Sequence, residues 1–322
     1  MLCISEKDIH AAINLNEAVD KIEEALKFYE TGNFLMPLRV HLDYGPNTLL
    51  LMPCFTPQMF GTKLLTLFPG NANKNKPVIE AVMIINDAET GEPLALINGR
   101  VMTAMRTGAV GGVGVRHLSP SEPHTLGIVG TGVQGFQQAR FAATLKPINR
   151  IMVYDSLPKK APEFASRLEA ALPGIPVNPV SSIEELLSAS QTVITATTSN
   201  LPVLPDNKEL LAGKHFVGIG SYKPDMREFP ESLFRLLDYM FIDTGHAIDE
   251  AGDVIDPLKN NWLSREQVAT MGQFLLNQDK YRPAAGATTL FKSVGMGLFD
   301  VFASELIYQK TKEKGLGLAV TL

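Results

Sequence analysis

The sequence of 322 residues contains only two cysteines and one tryptophan, and it has no excess of basic charge. Cys3 and Cys54 are too few for a disulfide framework and stand in no C-x-x-C spacing, so we expect neither a disulfide scaffold nor a cysteine zinc site. Because 29 lysine and arginine residues are outnumbered by 34 aspartate and glutamate residues, without any block of like charges, a nucleic-acid partner is not expected.

Targeting signals, long apolar runs and metal motifs are missing as well. Charged residues at positions 6–8 interrupt the apolar core that a signal peptide needs, and no later run approaches the ~18 apolar residues of a membrane-spanning helix. The six histidines form no H-E-x-x-H arrangement, and neither G-x-S-x-G nor G-x-x-x-x-G-K-[ST] occurs. A carboxylate-rich stretch is interpreted as a solvated turn rather than a metal site; it comprises Asp249, Glu250, Asp253 and Asp256. We therefore expect a cytoplasmic protein that binds neither membrane nor metal.

The length and the 45% hydrophobic content are typical of a globular protein with two domains. A helix pattern that Asn16 can cap ends before Gly32, and β-rich runs separated by turn residues follow between residues 39 and 98. These runs predict an antiparallel or mixed sheet. Helical spacing returns over residues 100–118, and the Ser/Pro-rich residues 119–123 indicate a hinge.

Beyond the hinge, short apolar strands alternate with amphipathic helices. The strands are predicted at residues 125–129, 150–154, 192–196, 215–219 and 239–242, and the helices at residues 136–144, 160–171 and 183–188. Such alternation predicts a doubly wound parallel sheet of the Rossmann type. A final helical pattern over residues 293–310 is expected to pack on the first domain. The prediction is an α/β protein with a discontinuous domain, residues 1–118 and 300–322, around a second domain, residues 119–299.

Residues 130–135, Gly-Thr-Gly-Val-Gln-Gly, follow a predicted strand and open a helix. In this context Gly130 permits a tight turn, Gly132 lets a pyrophosphate approach the backbone, and Gly135 lets the helix pack closely. Val133 and Gln134 complete the predicted cofactor-binding loop. Another glycine-rich stretch, residues 108–114, lacks a preceding strand and a following acid and is not expected to bind a dinucleotide.

Asp155 follows Gly135 by 20 residues, at the end of the next predicted strand. A carboxylate there can accept hydrogen bonds from the ribose hydroxyls and would repel a 2′-phosphate, so NAD(H) is favoured as cofactor. NADP(H) stays open because two lysines, Lys159 and Lys160, lie nearby. Thr197 and Thr198 end a later strand at the same edge of the sheet, and we expect them to line the cofactor too.

Short motifs in order along the whole chain resemble the ornithine cyclodeaminase/mu-crystallin family, which includes archaeal-type alanine dehydrogenases and ketimine reductases. The motifs are MPLR at residues 36–39, LMP at 51–53, GTK at 61–63, FPGN at 68–71, TGEPLA at 90–95, RTGA at 106–109 and FKSVG at 291–295. The resemblance implies a substrate-binding and dimerisation domain built from both ends of the chain, a Rossmann-type domain between them, and hence a homodimer.

The resemblance also implies roles for individual residues. It places Arg39, Lys63 and Arg106 around the carboxylate of a small imino or amino acid, where an arginine fork and a lysine point charge would orient the neighbouring carbon. It further implies that Thr107 binds a cofactor phosphate. Ser293 and Gly295 would lie near the nicotinamide.

Tyr222 stands where cyclodeaminases and alanine dehydrogenases carry an aspartate. A phenol, with an ordinary pKa of ~10, is a poor base at neutral pH. The surrounding residues 221–228, Ser-Tyr-Lys-Pro-Asp-Met-Arg-Glu, resemble instead the ketimine reductase branch. The expected activity is NAD(P)H-dependent reduction of a cyclic ketimine carboxylate, first of all Δ1-pyrroline-2-carboxylate to L-proline, with Lys63 and Tyr222 as the catalytic residues.

Two alternatives stay open. An ornithine cyclodeaminase or alanine-type amino-acid dehydrogenase would need a carboxylate, which Asp225 could provide. A non-catalytic ligand-binding protein, like a lens crystallin, would retain the fold without the chemistry, although the intact pair of Lys63 and Arg106 argues against it.

Overall fold

The computed structural model describes residues 1–74, 76–122 and 124–321. They form two compact units: Met1–Arg106 with Met296–Leu322 is the first unit, and Thr107–Gly295 is the second. The sequence placed these divisions at residues 118/119 and 299/300. The first division lies earlier than predicted because residues 107–118 pack closely within the second unit. A Cβ on Gly108 would press against Phe141, and a Cβ on Gly114 would press against Phe291. Of the predicted hinge, Pro123 lies outside the described residues.

The elements are numbered in chain order. The strands are β1 (Leu2–Ile4), β2 (Val40–Tyr44), β3 (Asn47–Phe55), β4 (Met59–Leu67), β5 (Ile79–Asp87), β6 (Pro93–Asn98), β7 (His124–Val129), β8 (Ile148–Tyr154), β9 (Val177–Pro179), β10 (Thr192–Thr195), β11 (His215–Gly218), β12 (Leu237–Ile242), β13 (Val268–Thr270), β14 (Thr288–Lys292) and β15 (Leu318–Ala319). The helices are α1 (Glu6–Ala12), α2 (Leu15–Tyr29), α3 (Gly99–Leu118), α4 (Val133–Leu145), α5 (Lys160–Ala171), α6 (Ile183–Ala189), α7 (Lys208–Leu211), α8 (Glu231–Phe234), α9 (Ala247–Glu250), α10 (Gly252–Lys259), α11 (Met271–Leu276), α12 (Gln278–Tyr281) and α13 (Gly297–Glu313). Short 3-10 turns occupy Pro69–Lys74 and Arg265–Gln267.

The first unit contains a seven-stranded sheet in the order β15-β1-β6-β5-β4-β3-β2. Its strands pair antiparallel except β1 with β6, so the predicted antiparallel or mixed sheet is confirmed. Helix α13 packs against β3, β4 and β5 and against α2. Alternation along β4 turns Lys63 into the buried side of the sheet, while its neighbour Leu64 stays exposed.

Helix α2 begins two residues earlier than expected. Asn14, not Asn16, caps it: the Asn14 side chain accepts a hydrogen bond from the Glu17 backbone N–H at 2.9 Å, and the Glu17 carboxylate accepts one from the Asn14 N–H. This reciprocal capping box satisfies two backbone donors and defines the start of the helix. Ile22 and Leu26 lie on its buried face.

The second unit contains an eight-stranded sheet in the order β13-β12-β14-β11-β10-β7-β8-β9, and every pairing in it is parallel. The predicted doubly wound Rossmann-type sheet is thus confirmed. The chain moves outward from β7 to β9 and then returns to place β10 on the other side of β7. In sheets of this kind, ligands bind outside the carboxyl ends of the strands at such a reversal.

The last third of the chain differs from the expectation in two respects, although the predicted C-terminal helix is present and packs in the first unit. The helical pattern over residues 293–310 is preceded by a strand, β14, that the sequence did not indicate, and the helix itself begins only at Gly297. The carboxylates expected in a solvated turn lie on α9 and α10. Asp253 among them is fully buried, because it accepts hydrogen bonds from the backbone N–H groups of Glu228 and Phe229.

Within the described ranges, no helix combines the length and the apolar character that a membrane crossing requires. In the same residues, no group of three or more His, Cys, Asp and Glu side chains is arranged to hold a metal ion.

Candidate functional site

The glycine-rich loop of the second unit joins β7 to α4. Gly130 makes the turn with a φ of +101°, a left-handed conformation that favours glycine. A Cβ on Gly130 would lie 2.6 Å from the carbonyl oxygen of Ala196, and one on Gly135 would collide with the carbonyl oxygen of Gly130. Gly132, the N-cap of α4, has nothing within 4 Å of its Cβ position. The first and third glycines therefore fit the protein's own backbone, and the second leaves open space.

A cavity of about 510 Å³ opens at this loop, where the order of the strands reverses. It is lined by Val129, Gly130, Thr131, Gly132, Tyr154, Asp155, Ser156, Leu157, Lys160, Ala196, Thr197, Thr198, Ser199 and Val203. Beside it, Val133 in the first turn of α4 is 66% exposed. An open glycine at a helix N-terminus, beside a cavity with apolar and hydroxyl-bearing walls, fits the pyrophosphate and nucleoside of a dinucleotide.

Asp155 lies in the wall of this cavity. One of its carboxylate oxygens accepts hydrogen bonds from the Thr131 N–H at 3.0 Å and the Thr131 hydroxyl at 2.6 Å, and the other accepts one from the Leu157 N–H at 2.9 Å. Although partial burial opposes ionisation, these hydrogen bonds lower the pKa of Asp155 below its usual value. The carboxylate is thus a fixed negative charge, and Lys160 lines the same cavity.

Gly130, Gly132, Asp155, Thr197 and Thr198 are the predicted cofactor residues that line the cavity. Among the described residues, the other six predicted ones do not line it; they are Thr107, Val133, Gln134, Gly135, Ser293 and Gly295. Thr107 is buried on α3, and its carbonyl oxygen accepts a hydrogen bond of 2.8 Å from the side-chain amide of Gln138 on α4. This bond connects α3 with the helix that begins at the glycine-rich loop.

Ser293 and Gly295 are held by a carboxylate that the sequence did not single out. One oxygen of Asp243 accepts hydrogen bonds from the Ser293 hydroxyl at 2.7 Å and from the N–H groups of Val294 at 3.0 Å and Gly295 at 2.8 Å. Burial raises the pKa of Asp243, and these hydrogen bonds oppose the shift. An aspartate directly after an apolar strand, as after Ile242 here, was the available sequence signal.

The first unit holds a buried cluster of charges. The ammonium of Lys63 on β4 lies 2.7 Å from one carboxylate oxygen of Asp300 on α13, and the guanidinium Nε of Arg106 on α3 lies 2.9 Å from the other. All three side chains are almost completely buried. The structure therefore brings together two of the three predicted carboxylate-binding residues on a shared acidic partner.

The charges in this cluster shift one another's titration. Burial lowers the pKa of Lys63 to about 8; the Asp300 carboxylate opposes that shift, and the charge of Arg106 adds to it. Arg39, half-buried, also lowers the Lys63 pKa, so its charge acts on the same cluster. Burial opposes ionisation of Asp300, but Lys63 and Arg106 hold its pKa below the usual value. Three cationic side chains act around one carboxylate, which makes the cluster suited to an anion.

Sequence reasoning missed Asp300. The residue was visible as the one charged position between Lys292 and Glu305, in an otherwise apolar segment. A lone acid on a buried helix needs a cationic partner, because an unpaired buried charge is costly. That rule predicts a partner without saying which lysine or arginine provides it.

Tyr222 and Asp225 lie in the segment after β11. Tyr222 is 38% exposed, and the ammonium of Lys223 lies 5.8 Å from the centre of its ring. Asp225 is exposed. The buried carboxylate of this segment is instead Glu228, which the sequence analysis did not select.

Comparison with known proteins identifies the family. The model of the ornithine cyclodeaminase/mu-crystallin family matches residues 2–315. A Δ1-pyrroline-2-carboxylate reductase of Bacillus cereus is 30% identical over 325 residues, covering 98% of each chain. The structure of Thermococcus litoralis Δ1-pyrroline-2-carboxylate reductase in complex with NADH and L-proline matches with a TM-score of 0.91 at 31% identity, covering 99% of this chain and 100% of that one. An archaeal alanine dehydrogenase dimer with bound NAD matches with a TM-score of 0.89 at 27% identity, covering 100% and 99%. The chain belongs to the ornithine cyclodeaminase/mu-crystallin family.

Proposed function

We propose that this protein is an NAD(H)-dependent reductase of cyclic ketimine carboxylates, with Δ1-pyrroline-2-carboxylate, reduced to L-proline, as the substrate. The buried cluster of Lys63, Arg106 and Asp300 carries the proposal, because it gathers two cationic donors for a carboxylate, one from β4 and one from α3, on an acidic residue of α13. The names of the Bacillus and Thermococcus relatives support the choice of substrate, and the latter was seen with NADH and L-proline.

In this proposal the first unit orients the substrate. Lys63, Arg106 and Arg39 hold the carboxylate, and Asp300 keeps two of these cations in place while limiting their mutual repulsion. Fixing the carboxylate fixes the imine carbon next to it, so that orientation contributes to the rate.

The reduction adds a hydride to the imine carbon and a proton to the imine nitrogen, and the bound nicotinamide cofactor supplies the hydride. The ammonium of Lys63, with a pKa lowered to about 8 by burial, is suited to hold and donate a proton near neutral pH. Tyr222, which is partly exposed, is the second candidate for the residue that donates this proton.

The second unit binds the cofactor in this proposal. The open position at Gly132 takes the pyrophosphate, and Asp155 takes the ribose hydroxyls, so NADH is preferred to NADPH. Thr197 and Thr198 contribute hydroxyl-bearing side chains to the same cavity.

The test is NADH oxidation by the purified protein with Δ1-pyrroline-2-carboxylate, run beside NAD reduction with L-ornithine, L-alanine and L-proline. We expect fast imine reduction and slow amine oxidation. Oxidation of ornithine or alanine with ammonia release, and no imine reduction, would contradict the proposal. NADH binding without turnover of any imine would favour a non-catalytic ligand-binding role.

The similarity to alanine dehydrogenase supports a second candidate, an amino-acid dehydrogenase or cyclodeaminase. It requires a carboxylate near the substrate amine, and Asp225, the sequence candidate, is exposed. If this activity exists, Asp225→Ala abolishes turnover of alanine or ornithine. A parent protein that turns over neither amine rules it out.

We also propose that a second copy of the chain covers an apolar face of the first unit's sheet. The cross-strand row Val40, Leu51, Leu64 and Val82 lies on the face opposite Lys63, and three of its four members are exposed. An apolar row of this kind is typical of a subunit interface.

Leu64→Glu should convert a dimer to a monomer in sedimentation, whereas Leu276→Glu, at another exposed apolar site in the second unit, should not. A wild-type monomer would contradict the proposal.

A further inference from the structure

We propose that Glu228 is a positioning residue for the dinucleotide, because its buried carboxylate fastens a loop that lines the cofactor cavity to the neighbouring loop after β11. The inference rests on the proposed function in that it requires a dinucleotide in the cavity of the second unit. It does not depend on which ketimine or amine is the substrate.

Glu228 connects the ends of two adjacent parallel strands. One carboxylate oxygen accepts hydrogen bonds from the Thr197 N–H at 2.8 Å and the Thr197 hydroxyl at 2.9 Å, just after β10. The other accepts from the N–H groups of Gly220 at 2.8 Å and Ser221 at 3.2 Å, just after β11. Because the side chain is fully buried, these four bonds replace the water that would otherwise solvate the carboxylate.

One of the two loops that Glu228 connects, the loop after β10, lines the cavity. Thr197 lines it directly, and Thr198 and Ser199 continue the same wall. The backbone of Glu228 adds a third attachment, because its carbonyl oxygen accepts a hydrogen bond of 2.8 Å from the Val203 N–H, and Val203 also lines the cavity. A change at Glu228 therefore acts on a cavity wall through residues that touch it.

The two loops that Glu228 connects lie in close contact. A Cβ placed on Gly220 would collide with the carbonyl oxygen of Thr197 and would press on the Glu228 carboxylate. The two backbones thus already lie in contact, and only a side chain that accepts hydrogen bonds from both can keep that approach. An amide or a shorter acid cannot satisfy all four donors in the same place.

The backbone of Glu228 is itself held by the buried carboxylate of Asp253. One carboxylate oxygen of Asp253 accepts hydrogen bonds from the N–H groups of Glu228 at 2.9 Å and Phe229 at 3.1 Å. The ammonium of Lys292 lies 3.9 Å from the other Asp253 oxygen and donates to the Gly218 carbonyl at 3.3 Å. This chain of contacts extends from the ends of β11 and β14 to the cavity wall, so the position of Glu228 is set by the sheet.

The test compares Glu228→Gln with Thr192→Val in the complete chain. Glutamine keeps the shape but turns an NH2 group toward donors of one loop. Thr192 lies at the opposite end of β10, where its buried hydroxyl bonds to Ser119 and His124. Its replacement removes hydrogen bonds from the same strand without approaching the cavity. NADH affinity is measured by fluorescence titration, and hydrogen exchange is measured on peptides that cover residues 197–203 and 219–222.

We expect Glu228→Gln to weaken NADH binding about tenfold or more and to speed exchange at the amides of Thr197, Gly220 and Ser221. Thr192→Val should also lower the melting temperature, because it loses buried hydrogen bonds, but it should leave the NADH affinity within about twofold of the wild-type value. If Glu228→Gln does not fold, Glu228→Asp decides, because it keeps the charge but is one methylene too short to reach both loops, and we expect an intermediate loss.

Equal NADH affinity in the Glu228 variants and the wild type would overturn the inference, and so would an equal loss of affinity in Thr192→Val. A wild-type chain that binds NADH but reduces no imine would refute the proposed substrate, and the Glu228 comparison would still decide this inference. A wild-type chain that does not bind NADH would refute both.

Discussion

The two candidate sites are built by different means. In the first unit, recognition rests on side-chain charges that are buried together, with Lys63, Arg106 and Asp300 contributed by three elements. In the second unit it rests on backbone shape, where Gly130 and Gly135 fit the chain to itself and Gly132 leaves room. Ligand binding at the first site should therefore depend on side-chain charge and on pH. Ligand binding at the second site should depend on whether a glycine position carries an added methyl group.

The largest expected effect comes from removing a charge in the first unit. Lys63→Met leaves the buried Asp300 carboxylate with one contacting cation fewer. We expect kcat/KM for the imine to fall about 1,000-fold, because a cationic contact to a buried carboxylate contributes ~4 kcal/mol. NADH affinity should not change.

The matched control is Lys21→Met. Lys21 is the ammonium partner of Glu305 at 2.8 Å in the same unit, but the pair is partly exposed. Its loss should cost at most about 1 kcal/mol of stability and leave turnover unchanged. Comparable activity losses in the two variants would remove the distinction that we draw for Lys63.

The next effect separates two glycines of the same loop. Gly132→Ala adds a methyl group to open space at an extended φ of −78°, so the melting temperature should be unchanged while NADH affinity falls about tenfold. Gly135→Ala forces its methyl group into a carbonyl oxygen, so we expect a loss of about 2 kcal/mol in stability as well. Thermal denaturation and NADH titration distinguish the two. Unchanged NADH binding in Gly132→Ala would show that the pyrophosphate lies elsewhere.

The pH dependence should belong to the first unit alone. Since burial lowers the pKa of Lys63 to about 8, carboxylate binding should weaken roughly tenfold per pH unit above that value. Pyrrole-2-carboxylate, which keeps its charge in this range, is a suitable competitive probe. Over pH 8 to 10.5 the unfolded chain binds more protons at Lys63 than the folded chain, so this group's contribution to the free energy of unfolding rises with pH. NADH affinity that fell in parallel with carboxylate affinity would contradict the separation.

The smallest effect concerns the choice of cofactor. Asp155→Asn removes the negative charge but keeps an oxygen for Thr131 or Leu157, so the preference for NADH over NADPH should fall about fivefold, or ~1 kcal/mol. Kinetics with both cofactors give the ratio. Asp206→Asn, an exposed carboxylate that bonds the Ser232 N–H, is the control and should leave the ratio unchanged.

The glycine-rich loop was readable from the sequence because its residues act within one short segment. Asp155 and Thr197 could be added because the ends of parallel strands meet at one edge of the sheet. Asp300 could not be paired with Lys63 in the same way, since 237 residues separate them and only the packing of α13 on β4 brings them together.

Buried carboxylates were the main failure of the sequence analysis. Asp253 was expected in a solvated turn, although its carboxylate satisfies backbone donors of another segment. Asp243 and Glu228 escaped notice for the same reason, because each accepts a hydrogen bond from the N–H group of another segment, Gly295 for Asp243 and Thr197 for Glu228. Composition and periodicity describe which face of an element is apolar, but they do not show where a loop needs an acceptor.

Changes of length in β4 are constrained by the alternation of its side chains. Lys63 points toward α13, while Leu64 belongs to the exposed row on the opposite face. Deleting one residue before Lys63 within the strand would exchange these two faces, placing leucine beside Asp300 and an ammonium group in the apolar row. Deleting two residues would preserve the facing. The sheet should therefore tolerate insertions or deletions of two residues within a strand, and insertions or deletions of any length in turns such as residues 87–92. Inserting or deleting a single residue inside β4 should abolish both carboxylate binding and subunit association.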